Sequence, residues 1–142
     1  MSRGKRIIVA LAAAAALTVG AAGTALAGSP HFVDDQLTAT RTGDTLTVSG
    51  KEAGLGSEES VHVVVEAKAA CLNPGENFPQ AANKESFSAA GDFPVTNGKA
   101  YFEVTVVFTF QPKCVPPMRL VIGDVTVTDT SNGISTTIPG EF

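Results

Sequence analysis

Cys71 and Cys114 are the two cysteines of the 142-residue chain, and they are the residues with the most specific chemistry in it. Two cysteines can form a disulfide, act as reactive thiols or contribute half of a zinc site. Zinc takes four nitrogen, sulfur or oxygen ligands, and no histidines cluster near either cysteine. An even cysteine count in an exported chain points to a bridge, and export is what the N-terminus signals below. The pair encloses 42 residues. Closing a loop of that size removes about 4 kcal/mol of unfolded-state entropy, an upper figure because native strain erodes it. The bridge would staple the segment "CLNPGENFPQAANK", residues 71–84, to "PKCVPP", residues 112–117.

Those two segments hold the candidate binding groups. The first carries Asn73, Asn77, Phe78, Gln80 and Asn83, amides and a phenyl ring suited to carbohydrate or peptide contacts. The same residues suit ordinary turns, where Asn tolerates positive φ. In the second, a proline-stiffened loop leads into Met118 and Arg119. A rigid loop of that kind fits a protease as a substrate-like inhibitor, because pre-organisation lowers the cost of binding. The competing role is a strand connection whose prolines stop edge pairing.

The remaining polar residues are scattered. His62 has the chemistry of a general base, but it sits mid-strand opposite a valine face, where an exposed position is the ordinary role. His31 follows Gly28-Ser-Pro, and Pro30 removes a backbone nitrogen that an amino-terminal copper site would need. Asp34-Asp35, Asp44 and Glu58-Glu59 lie near strand ends without the spacing of an EF-hand loop, and a solvated face accounts for them. No Gly-x-Ser-x-Gly, phosphate loop or cysteine–histidine nucleophile pair is present. The expectation is a protein that is not an enzyme, with no catalytic residues, no metal and no cofactor.

The segment before these residues reads as a secretory signal. Arg3, Lys5 and Arg6 form a basic start, residues 7–19 are apolar and uncharged, and Ala25-Leu26-Ala27 is a small-x-small cleavage site. A transmembrane helix is the competing reading, opposed by Gly20, Gly23 and the missing positive flank. Cleavage leaves residues 28–142 as a single domain, secreted and without a stable membrane anchor. The signal takes three of the ten basic residues and no acids, so seven remain against fourteen acids, a net charge of −7. That acidity disfavours nucleic acid and anionic membranes as partners. An extracellular protein, a glycan or a small molecule is left as the ligand class.

Period-two alternation runs through the domain, with turn residues between the runs. It predicts seven strands, at 36–41, 45–50, 61–69, 86–90, 99–111, 120–128 and 134–138. Gly43-Asp44 and Asn97-Gly98 read as tight turns. Gly123 reads as a bulge, because the apolar set shifts from Leu120 and Ile122 to Val125 and Val127. Seven short strands with alternating faces pack as an immunoglobulin-like antiparallel β-sandwich, with a small closed barrel as the alternative.

Several stretches, "GSPHFV", "KEAGLG", "CLNPG", "PQAANK", "GDFPVTNGKA", "VTVTDT" and "IPGEF", together resemble a group of small secreted β-rich proteins of actinobacteria. That resemblance covers nearly the whole of residues 28–142. It implies export and a β fold and implies no activity or site residues. "LTVSGKEAGLGSEESVHVVV" and "VTNGKAYFEVTV" also resemble segments of the neocarzinostatin-type apoproteins, acidic exported seven-stranded sandwiches that carry enediynes. That family has two disulfides where this chain can form one, so the departure bears on the ligand cleft. The expected role is therefore a secreted, non-catalytic binding or structural module. Its alternatives are a protease inhibitor working through residues 114–119 and a small-molecule carrier.

Overall fold

The computed structural model describes residues 28–74 and 84–142. The described residues form eight strands: β1 His31–Phe32, β2 Thr38–Thr42, β3 Thr45–Ala53, β4 Ser60–Leu72, β5 Lys84–Pro94, β6 Ala100–Val107, β7 Arg119–Asp129 and β8 Ile134–Ile138. The described residues include no α-helix, and no helix among them is long and apolar enough to cross a membrane. Two antiparallel sheets face each other. In one, β3 pairs along one edge with β6 and along the other with β2 and then β1. The other runs β5–β4–β7–β8. The strands thus form an immunoglobulin-like sandwich, with β5 beside β4, and the sheets do not close into a barrel.

The core is the inner half of each alternation. Leu46 and Val48 of β3 and Val61, Val63, Val65 and Ala67 of β4 are sealed from solvent. So are Ala100 and Val106 of β6 and Ile122, Val125 and Val127 of β7. Each large aliphatic side chain so buried contributes roughly 1.5–3 kcal/mol. The β7 bulge lies where the apolar shift placed it. Ala67 pairs with Val125 and Ala69 with Ile122, so Lys68 alone faces both Gly123 and Asp124. Without that extra residue, Ile122 and Val125 would point to opposite faces. The Asn97-Gly98 turn has both residues at positive φ, 53° and 72°, between a Thr96–Lys99 bridge. Gly43, at φ 61°, turns β2 into β3.

Strand boundaries differ from expectation in ways that pairing explains. Gln36 belongs to a 3-10 turn, Asp34–Gln36, so β2 starts at Thr38. The strand expected at 86–90 extends from Lys84 to Pro94 because it pairs along β4 from Ser60 to Ala70. The strand expected at 99–111 ends at Val107, where its partner β3 begins at Thr45. Burial nevertheless keeps alternating, and Phe108 and Phe110 turn inward past the end of the ladder. The short β1 has no counterpart among the expected strands.

Arg41 of β2 ties the two sheets together. Its Nη1 donates to the backbone oxygens of Leu120 and Phe142, both at 2.8 Å, and its Nε donates to Gly43 O at 2.9 Å. Phe142 in turn exchanges backbone hydrogen bonds with Ile122.

Candidate functional site: the disulfide end and a buried acid pair

At one end of the sandwich, Cys71 and Cys114 are bonded, with Cα atoms 5.7 Å apart and a sequence separation of 43. Cys71 is in β4, opposite Leu120 of β7, and Cys114 lies in the crossing from β6 to β7. The bridge therefore holds that crossing over the mouth between the sheets. Phe108 and Phe110 enter the mouth from one sheet, and Phe87 of β5 meets them at centroid distances of 5.1 and 5.2 Å. Beside these rings lies a cleft of about 200 Å³, walled by Phe108, Phe110 and Leu120 and by the polar Asp44, Gln111 and Lys113. Binding sites for small molecules generally measure 300–1,000 Å³, so this cleft holds one group rather than a whole ligand.

The residues expected to bind are distributed around this end. Asn73 is exposed just past β4. Asn77, Phe78, Gln80 and Asn83 lie outside the described residues. Met118 is half-buried against the core, its backbone N–H donates to Val115 O at 2.9 Å, and its sulfur lies 3.9 Å from that of Cys71. Arg119 is exposed, but it is the first residue of β7 and pairs with Leu72. A groove of about 510 Å³ crosses the outer face of β4, β5 and β7 near the same end, between Lys68, Lys84 and Val121.

His62 and Asp92 meet on the outer face of the β4–β5 ladder, with Nδ1 and Oδ1 2.7 Å apart. An aspartate on one ring nitrogen orients an imidazole as a base would need. No hydroxyl or thiol hydrogen-bonds the ring among the described residues, and both side chains are open to water, 44 % and 77 % exposed. His31 is exposed and its ring bonds Ser29 O at 2.8 Å. Asp34, Asp35, Asp44 and Glu59 are exposed, Glu58 is half-buried, and the five are spread over separate turns. Among the described residues, no three His, Cys, Asp or Glu side chains converge as metal ligands would.

The opposite end contains a pair that the sequence analysis did not single out. Glu52 of β3 and Asp129 of β7 are both 0 % exposed, and they come from different sheets. Asp129 accepts from Ser131 N at 2.8 Å, from Asn132 N at 3.4 Å and from Asn132 Nδ2 at 2.6 Å. Written as a carboxylate, Glu52 has no donor for either oxygen among the described residues. Written as the acid, it hydrogen-bonds Asp129. Burial first, then that hydrogen bond, then the charges of Asp129 and Glu58 push Glu52 up to about 8. The strand alternation carried the signal for this pair. Glu52 continues the inward series Leu46, Val48, Gly50, and Asp129 continues Val125, Val127. A carboxyl on an apolar face is the informative exception to the inside-outside rule.

No family model matches this sequence, and no curated protein matches it. Among solved structures, the solution structure of CsgH from R. palustris is similar over 73 % of this chain and 88 % of that one, at 14 % identity and a TM-score of 0.35. A likeness at that level carries no argument about function.

Proposed function

We propose that this protein is an exported, non-catalytic β-sandwich module that binds an extracellular ligand at its disulfide-tied end. The observation that carries the reading is the Cys71–Cys114 bond, which fixes an irregular crossing and an aromatic-lined cleft at one rim of an otherwise regular sandwich. Loops held on a rigid scaffold are where such modules bind. A disulfide also fits an oxidising compartment, in agreement with the signal pattern of residues 1–27. The acid pair is sealed from any substrate, and the His62–Asp92 pair stands on an open sheet face, so neither supports a catalytic reading.

The cleft favours one narrower version, a carrier or receptor for a molecule that inserts a single small group between Phe108, Phe110 and Leu120 on one hand and Asp44, Gln111 and Lys113 on the other. The inhibitor version draws little from the geometry. Met118 leans into the core and Arg119 is engaged in the β4–β7 ladder, whereas a substrate-like loop presents its side chains and backbone outward.

The test is a ligand search on the native protein, by mass spectrometry of the material recovered from culture medium and by a glycan array. The reading expects a bound species whose retention falls when Phe110→Ala opens the cleft. Retention unchanged in Phe110→Ala, or no retained species in either assay, would remove this end as the binding site. Cleavage after Arg119 by a trypsin-like protease without inhibition would end the inhibitor version.

A further inference from the structure

We propose that Glu52 and Asp129 form a proton-held latch between the two sheets, in which Glu52 carries a proton, donates it to Asp129, and frees this end of the sandwich when the proton leaves. The geometry admits few other arrangements. Both carboxyls are fully buried, one from each sheet. Asp129 is supplied with three donors by the turn that follows it, so it is equipped to be the accepting, charged partner. Among the described residues Glu52 has no donor, so with both groups ionised its two oxygens are stranded. A proton shared between the acids gives Glu52 a partner in Asp129.

The surroundings reinforce this assignment. The ladder partners of Glu52 are Phe32 of β1 and Ala100 of β6. Those of Asp129 are Val63 of β4 and Ile134 of β8. The charged groups that act on Glu52 are Asp129 from β7 and Glu58 from the loop before β4, and both oppose its ionisation. The bases nearby in sequence point elsewhere: His31, Lys99 and His62 reach solvent, and Lys51 lies 5.5 Å from the ring of Tyr101. Like charges that share a buried site cannot both ionise without moving apart or admitting water. Because the acids come from opposite sheets, their separation opens the space between β3 and β7 at this end and leaves the disulfide end clamped.

Carbon-13 NMR titration of the oxidised residues 28–142 reads the Glu52 carboxyl directly, and amide hydrogen exchange expressed as protection factors reads the opening. The latch predicts a Glu52 midpoint near 8 in place of the ordinary 4.5. It also predicts that protection at the Glu52 end of β3 and the Asp129 end of β7 falls at least tenfold as pH rises through that midpoint, with β4 near Cys71 unaffected. Glu52→Gln keeps a donor for Asp129 and should hold its protection flat across the same range. Glu52→Leu, which removes titration by another route, should also be flat. A Glu52 midpoint in the usual carboxylate range, or an equal loss of protection in the two variants, overturns the proposal.

Discussion

Breaking the Cys71–Cys114 bond should lower stability by about 4 kcal/mol, from loop-closure entropy over the 43-position separation. Single domains are stable by only about 5–15 kcal/mol, so the loss would be a large share of the total. Reduction is a cleaner perturbation than Cys→Ala replacement, because Cys71 is buried and its sulfur packs on the core beside Met118. Truncating it would add a cavity term to the entropic one. The assay is urea unfolding of the same protein with and without a phosphine reductant, at one pH. Two changes are expected. The midpoint should fall, and the denaturant slope should rise, because an uncrosslinked unfolded chain exposes more surface. Native packing should survive reduction, since the core is built by Leu46, Val63, Val106, Val125 and their neighbours, none of which depends on the bridge. If the oxidised and reduced proteins unfold within about 0.5 kcal/mol of each other, the loop-closure reasoning fails. If reduction abolishes the folded state in water altogether, the core has been overestimated.

Other expectations follow from single residues. Because Glu52 is raised to about 8 from 4.5, the folded chain holds a proton that the unfolded chain releases between those values. Its contribution is full below pH 4.5, declines as pH rises and is gone above about 8, a change on the order of 5 kcal/mol. Glu52→Gln should lose that slope in pH-dependent urea unfolding and exceed the parent at pH 9; a parallel slope would contradict the assignment. Arg41→Ala removes two charge-assisted bonds that join β2 to Leu120 and Phe142, and it should cost about 3 kcal/mol in the same assay. Gly98→Ala places a Cβ at φ 72° in the β5–β6 turn and should cost about 1 kcal/mol. Asp92→Asn, on the open face beside His62, should change stability by less than about 0.5 kcal/mol in thermal unfolding.

The parts of this fold that a linear pattern encodes were legible without coordinates. Val61, Val63 and Val65 alternate with His62 and Val64, and that period alone assigns them to the core. The phase change from Ile122 to Val125 located the bulge to within a residue. Asn97-Gly98 announced its turn because both residues tolerate the positive φ it requires. Strand ends were not legible, because they depend on how far a partner runs. Val107 ends β6 only because Thr45 begins β3, a fact that no window around residue 107 contains. The acid pair was half legible. Each carboxyl lies in phase with an apolar face, but that Glu52 meets Asp129 across the sandwich is set by sheet topology. Arg41 spans 79 and 101 positions to its two acceptors, and nothing local marks it as a clamp. The cysteine pair pointed to the loop end, where the structure places a cleft of only about 200 Å³.

Intact mass spectrometry of the protein recovered from culture medium, alkylated before and after reduction, tests export and the closed bridge together. The account predicts a chain beginning at Gly28 that takes no alkyl groups until it is reduced and two thereafter. A protein retained with residues 1–27, or one whose two cysteines alkylate without reduction, would contradict it.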